Sequence, residues 1–310
     1  MTIRNLLVYS RERPVVGRRI LMSYVPTKIS RRRFLRLGSA SAVSVFGFSE
    51  LGFSEAQSVP RLRRVTLGLP TLPRAWDGLR ILQVSDIHAG PFMPVARMRR
   101  IRDMILQIPA DLVVFTGDQM DRRPSDAPAF VEGFSGVRAP LGVYGILGNH
   151  DHFIDPKRST WALRAAGITP LINRTKIIER GGQRLALVGL EDLSAPYGRG
   201  PDFRLLAKYP NSFRICLCHQ PRGWHDALAS GAHLTLAGHT HGGQIALSSR
   251  VLNIARLQTR YIAGPYRRDD AFLYVSRGIG VGALPIRLGA PPEIDLLTLR
   301  STAAAVRLAA

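Results

Sequence analysis

Five apolar runs along the chain each end in a short polar motif. Leu79–Ser85 closes on Asp86-Ile87-His88, Asp111–Thr116 on Gly117-Asp118, and Gly142–Leu147 on Gly148-Asn149-His150-Asp151. Phe213–Cys218 runs into His219, and Leu234–Ala237 into Gly238-His239-Thr240-His241. Short apolar runs bounded by glycine and polar residues read as buried strands. Between them, Val95–Ile108 carries apolar residues at helical spacing and stops at Pro109. Phe130–Val137, Ser159–Ala166, Phe203–Lys208 and Gly223–Ala229 read as shorter helices. Ile168–Ile172 and Lys176–Arg180 read as strands, and the Gly181-Gly182 turn returns the chain as Arg184–Val188, a hairpin mate. Phe272–Val275 and Ile294–Leu299 complete the strands.

The first half is thus β-α-β and the second half is richer in strands. That order predicts an α/β domain of two facing sheets with helices outside. The domain is expected over residues 79–302. Residues 57–78, with Pro60, Pro70 and Pro73, read as a linker whose Arg64–Leu69 stretch is an edge strand. With 310 residues, 45% of them hydrophobic, the chain suits one large domain with a sizeable core. It contains no internal repeat.

Charge changes the picture at the N-terminus. The formal net charge is +21, and the first 36 residues hold ten basic residues against Glu12 alone. Such a field favours anionic partners: a phosphoester substrate, lipid- or cell-wall-linked polymers, or an anionic membrane surface. Nucleic acid is disfavoured, because no aromatic-basic interleaving forms a stacking platform. Ser30-Arg31-Arg32-Arg33-Phe34-Leu35 resembles the twin-arginine export pattern, and a small, apolar stretch from Leu37 to Phe53 follows it. Ser49 and Glu50 interrupt that stretch, so it suits an export signal better than a membrane span. Ser54-Glu55-Ala56 offers a cleavage site before Gln57. Residues 1–56 are therefore expected to engage the twin-arginine translocon. The protein is then expected in the periplasm, in the cell wall or on the outer face of the cytoplasmic membrane. Cys216 and Cys218 alternate with Ile215 and Leu217, and two residues i, i+2 on a strand make a poor disulfide pair. They read as small buried hydrophobes.

The polar motifs carry the chemistry. Asp86 and His88 can reach one ion from the end of the first strand. Asp118 follows Gly117, and a carboxylate placed there can bridge two ions. Asn149 adds a neutral oxygen, and His219, His239 and His241 add imidazoles. A single Asp-x-His is usually a turn and a single histidine usually a core residue. Five such clusters at five strand ends point instead to divalent metals, with a mixed carboxylate and imidazole set that suits Mn, Fe or Zn better than Mg. His225 and His233 lack this setting and read as structural or solvent-facing. His152 fits no ligand spacing.

The ordered set resembles the calcineurin-like metallophosphoesterase superfamily over nearly all of residues 79–300. Leu236–Gln244, Tyr274–Gly280 and Arg287–Glu293 resemble its bacterial subgroup of exported or membrane-associated phosphodiesterases. The resemblance implies the metallo-dependent phosphatase fold, a four-layer α/β/β/α sandwich of two facing mixed sheets flanked by helices. It implies one ion on Asp86, His88, Asp118 and His241, and another on Asp118, Asn149, His219 and His239. His150 would then sit near the leaving group as a catalytic residue, Asp151 would orient it, and Asp121 would support. The implied reaction is phosphodiester hydrolysis by a metal-activated hydroxide attacking phosphorus in line. Two alternatives are a pyrophosphate hydrolase of the UDP-2,3-diacylglucosamine type and a non-catalytic basic protein that binds the cell envelope. Arg277, in a glycine-flanked turn, is a candidate for a substrate phosphate or for a salt bridge.

Overall fold

Alternation of side chains along the strands divides the protein into layers. The computed structural model describes residues 52–196, 199–248, 252–253, 255, 259–282, 284–301 and 307–309. The arginine motif at Ser30–Leu35 and the apolar stretch up to residue 51 lie outside them.

The first sheet runs in the order β15 (Arg307–Ala309), β1 (Arg61–Gly68), β14 (Glu293–Arg300), β2 (Arg80–Val84), β3 (Leu112–Thr116), β4 (Val143–Ile146), β5 (Thr169–Pro170). Strands β2 to β5 are mutually parallel, β14 is antiparallel to β2, and β1 is parallel to β14. The second sheet runs β12 (Gly264–Arg268), β13 (Ala271–Val275), β9 (Leu234–Ala237), β8 (Phe213–Leu217), β7 (Gln183–Gly189), β6 (Arg174–Arg180). Its central strands β13, β9, β8 and β7 are parallel and its two edges antiparallel. A small pair, β10 (Ala246–Ser248) and β11 (Leu252–Asn253), stands apart.

Odd and even positions of one strand serve different layers, as the pleat requires. Ile81, Leu112 and Val114 of the first sheet meet Leu187, Ile215 and Leu236 of the second in a shared central core, which also takes in Trp76 and Tyr274. Their neighbours Leu82, Val84, Val113 and Phe115 face outward onto α1 (Val95–Gln107), α2 (Asp126–Phe134) and α4 (Pro156–Ala165), through Met98, Ile101, Phe130, Phe134 and Leu163. On the far side Ala186, Val188, Cys216 and Cys218 pack against α5 (Arg204–Ala207) and α6 (Trp224–Ala229). Both thiols are free and buried, and burial pushes Cys218 up to about 12. The result is the four-layer sandwich expected from the sequence.

Several boundaries differ from the sequence reading. Residues 57–78 include β1, which pairs with β14 over its full length, and the fully buried Trp76. The helix expected at 130–137 begins at Asp126, and the one expected at 159–166 begins at Pro156, where the Asp155 carboxylate caps Lys157 N and Arg158 N. The strand expected at 168–172 shrinks to two residues. A helix without a counterpart in the apolar pattern, α3 (Asn149–Ile154), starts directly at the third motif. Residues 52–57 are helical and held by the body: Arg287 N donates to Gly52 O at 2.9 Å and Arg97 Nη2 to Ala56 O at 2.7 Å. Among the described residues no helix is long and apolar enough to cross a membrane.

Candidate metal centre

Strands β2, β3 and β4 of one sheet and β8 and β9 of the other deliver their C-terminal ends to one place. This is the end at which parallel sheets present ligand-binding loops. The loops are locked to one another: His219 Nδ1 donates to Thr116 O at 2.7 Å, and His239 N donates to the Asp86 carboxylate at 2.9 and 3.1 Å. The backbone is forced into unusual shapes to do this. Asp86, His88, Asp118, His239 and His241 all have φ between 50° and 71°, the left-handed region. Side chains there cost about 1–2 kcal/mol per residue, and such strain collects at functional sites. Two glycines make room: a Cβ on Gly148 would strike Asp118 Oδ1, and one on Gly238 would strike Asp86 Oδ2.

The side chains converge in two clusters of the expected ligands, and a third grouping of His88, Asp121 and His150 adjoins the first. Asp86, His88 and His241 form one, and Asp118, His219 and His239 the other, each with its ligand atoms within 4.8 Å of one another. In the first, His241 Nε2 lies 3.1 Å from His88 Nε2 and 3.5 Å from Asp86 Oδ1. In the second, His219 Nε2 lies 3.3 Å from Asp118 Oδ2 and 3.2 Å from Asn149 Oδ1. Asp118 Oδ2 also stands 3.7 Å from His88 Nε2, so this one oxygen faces both clusters. The other oxygen, Oδ1, accepts His150 N at 2.9 Å.

Electrostatics divide the four rings: against the effect of burial, Asp121 and Asp118 raise His88, and Asp118 raises His219 well above the usual imidazole value, so a cation bound there would take the place of their extra protons. Asp86 and Asp118 are almost wholly shut off from solvent. Burial opposes the Asp118 anion, yet His219, His88 and His150 hold its carboxyl well below the usual range. Burial, His88 and Arg287 push His241 well below its usual value, and burial with His219 lowers His239. Those two rings are therefore neutral, the form a metal needs. The nitrogen and oxygen donor set suits a transition metal such as Mn, Fe or Zn.

The surrounding groups aim these ligands. His219 presents Nε2 to the cluster because its Nδ1 is spent on Thr116 O. Behind His88, Asp121 Oδ1 lies 3.6 Å from Nδ1. His150 is not pulled into either cluster; its ring lines the adjoining cavity, about 320 Å³ in volume, and stands edge-on to His88 at 4.6 Å. Its Nδ1 donates to the Asp121 carbonyl at 2.9 Å, which leaves Nε2 as the free nitrogen.

Asp151 has a different task from the one expected. Its carboxylate accepts Gly148 N at 2.9 Å and the amides of Gln119 and Met120 at 3.3 Å each, tying the loop after β3 to the start of α3. The carbonyl of Asp121, not Asp151, fixes the His150 ring. Burial and the charge of Asp118 raise the Asp151 carboxyl to about 6. Arg277 resolves to the salt bridge: its Nη1 lies 2.8 Å from Glu293 Oε2. His152 pairs with Glu191 at 2.7 Å, and His233 accepts Arg214 N at 2.9 Å while stacking on Phe213.

Two residues of the centre went unassigned in the sequence. Arg287 is fully buried and places Nη2 3.1 Å from His241 Nδ1. Gln244 accepts Gly282 N through Oε1 at 3.2 Å and donates through Nε2 to Leu284 O at 2.5 Å, bracing the loop across the cavity. Both stand in stretches that carry the family resemblance, but nothing in the sequence brings position 287 to position 241.

The sequence pattern of the calcineurin-like phosphoesterases matches residues 79–243, which holds all seven candidate ligands and His150. A metallophosphoesterase of Bacillus subtilis, YkuE, is 29% identical over 287 residues, covering 89% of this chain and 99% of its own. The phosphodiesterase YaeI of Escherichia coli is 28% identical over 279 residues, covering 87% and 99%. A bovine transmembrane protein with a metallophosphoesterase domain is 31% identical over 291 residues, covering 88% of this chain and 65% of its own. Among solved structures, TT1561 of Thermus thermophilus superposes with a TM-score of 0.45 at 11% identity, over 65% of this chain and 90% of that one. With the matched segment spanning more than half of its length, the chain belongs to the calcineurin-like phosphoesterase family.

Proposed function

We propose that the chain is a phosphodiesterase that works with two divalent ions, is exported by the twin-arginine pathway and acts outside the cytoplasmic membrane. The observation that carries the chemistry is the position of Asp118 Oδ2, 3.3 Å from His219 and 3.7 Å from His88, at the junction of the two clusters. A carboxylate there suits a pair of ions held side by side. Asp86, His88, Asp118 and His241 would hold one, and Asp118, Asn149, His219 and His239 the other. Bound ions would polarise a phosphoryl oxygen and make water a stronger nucleophile at neutral pH.

The chain's own residues do the rest. The cavity admits the phosphoester between Asn149, His150, His239 and His241. With Nδ1 fixed on the Asp121 carbonyl, a protonated His150 carries its mobile proton on Nε2. It can donate that proton to a departing oxygen or stabilise the charge that builds on it. The diester preference is supported by the name of the Escherichia coli relative, a phosphodiesterase similar over nearly its whole length. Export is supported by Arg31-Arg32 and the apolar segment behind them, and the net charge of +21 suits an anionic envelope surface.

Two experiments test the reading. Protein reconstituted with Mn, Fe or Zn is assayed on bis-p-nitrophenyl phosphate, p-nitrophenyl phosphate and UDP-diacylglucosamine; the diester is expected to be the best substrate. Faster turnover of the monoester or of the nucleotide lipid overturns the preference. Cell fractionation of Arg31→Lys/Arg32→Lys is expected to find the protein retained inside, and undiminished export of this charge-preserving variant overturns the twin-arginine route.

A further inference from the structure

The cavity beside the metal ligands has two unlike walls. One is polar and carries Asp118, Asn149, His150, His239 and His241; the other is formed by Ile245, Ala255 and Leu284. The apolar wall is open to water, with Leu284 55% exposed. Gln244 fixes its position, since its side-chain amide grips the loop at Gly282 N and Leu284 O. Beside His150, which lines the cavity, stands Phe153, 72% exposed, three residues further along α3 and with its ring centroid 6.1 Å from that of His150. Leucine or phenylalanine singly exposed on a surface needs no explanation. Here two large apolar side chains, both more than half exposed, stand at one site: Leu284 lines the cavity and is held by a dedicated clamp, and Phe153 lies beside the cavity-lining His150.

We propose that this rim is a subsite for an alkyl group esterified to the scissile phosphate, so that the enzyme selects phosphodiesters with an apolar arm. The inference rests on the phosphodiesterase reading and refines its substrate class. The two walls belong to one cavity, so a phosphate held at the ligand loops places its ester substituent within reach of Leu284 and Ile245. Phe153, whose ring lies beside that of His150, extends the exposed apolar surface next to the cavity. Burial of that arm against these side chains removes apolar surface of both partners from water.

The test uses the metal-reconstituted full chain and a series of alkyl p-nitrophenyl phosphates (methyl, butyl and hexyl) below their micellar concentrations. Full burial of a methylene is worth about fourfold in affinity, and in an open groove a smaller gain is expected, so kcat/KM should rise at least about tenfold from methyl to hexyl. In Phe153→Ser and in Leu284→Ser, both surface positions, the hexyl-to-methyl ratio should fall toward one. Turnover of the methyl ester without any gain along the series overturns the subsite and leaves the phosphodiesterase reading standing. A gain that both variants keep in full overturns the assignment to this rim. Failure to hydrolyse any member of the series overturns both readings together.

Discussion

The guanidinium of Arg287 lies directly behind His241, with Nη2 3.1 Å from the ring nitrogen Nδ1. A metal-binding histidine ordinarily donates its second ring N–H to a carbonyl or carboxylate. Arginine only donates, so a hydrogen bond here leaves the ring's single proton on Nε2, the nitrogen turned to Asp86 and His88, and a metal bound there would have to displace that proton. Four further bonds hold the guanidinium in place, to the carbonyls of Gly280 (from both Nε and Nη2), Ala290 and Arg277. Burial lowers its pKa to about 10, which still leaves it cationic at neutral pH. The positive charge keeps His241 from taking a second proton and competing with a metal.

Replacement of Arg287 by Met is therefore expected to act on one ion more than the other. Arg287 braces the backbone around His241 through these carbonyl bonds, and loss of a group that positions a metal-binding side chain typically costs about 10–100-fold in metal affinity. The site built on Asp86, His88 and His241 should weaken by that order while the site built on Asn149, His219 and His239 is spared. Titration with Mn, followed by elemental analysis, reads this directly. An equal loss at both sites would mean that Arg287 serves general stability alone.

His150 makes a separable prediction. Removing a proton donor or charge stabiliser typically costs about 10²–10⁴-fold. His150→Ala is expected to keep its metals and its melting temperature but to lose turnover by that order on an alkyl diester. The loss should be smaller on a nitrophenyl diester, whose leaving group departs unaided. Steady-state rates on both substrates, with metal content alongside, check it; lost metal would make His150 a ligand.

A buried carboxyl on β14 ties stability to pH. Tyr274 Oη of β13 donates to Asp295 Oδ1 of β14 at 2.5 Å, joining the two sheets. Burial, then the charge of Glu293, raises Asp295 to about 8. An unfolded aspartate releases its proton near about pH 4, so between these values the folded chain holds a proton that the unfolded chain has lost. Stability contributed by this group is full below the lower value and falls as pH rises toward the higher one. Asp295→Asn, neutral throughout, should lose that slope: close to wild type near about pH 5 and more stable than wild type near about pH 8. Melting temperatures of the two proteins at both pH values decide it, and parallel curves would contradict it.

The segment offered for cleavage has structural duties. Ala56 is fully buried, Glu55 accepts Gly289 N at 2.9 Å, and Arg287 N binds Gly52 O at 2.9 Å. A chain that begins at Gln57 loses these bonds and leaves buried donors unpaired, a cost of about 2–4 kcal/mol. Its melting temperature should fall by several degrees relative to a chain that begins before Gly52; an unchanged melt would show that the segment adds nothing.

What the sequence disclosed follows from where the information is local. A buried parallel strand that stops at a ligand loop is a short, contiguous signal, so Asp86, Asp118 and His239 could be read with their strands. The left-handed backbone at five ligands could not, because only tertiary contact enforces φ near 50° on Asp and His. Asp151 neighbours His150 in sequence but lies with it on a helix, where successive side chains diverge by about 100°, so it turns to the loop after β3 instead of the His150 ring. Arg287 was unreadable as a partner of His241 because it reaches the centre only after β12, β13 and the returning loop have closed. The helix at Asn149–Ile154 escaped because its polar, histidine-rich sequence has no apolar period.

The central claim is a two-ion centre that shares Asp118, and metal stoichiometry tests it most directly. The chain is stripped with chelator, reloaded with Mn, freed of excess ion and measured by elemental analysis beside Asp118→Asn and His88→Ala. The account predicts two ions per wild-type chain, weakened binding of both in Asp118→Asn, and loss of chiefly one in His88→Ala. A wild-type chain that holds one ion or none under saturating metal, or an Asp118→Asn chain that keeps two at wild-type affinity, would contradict it.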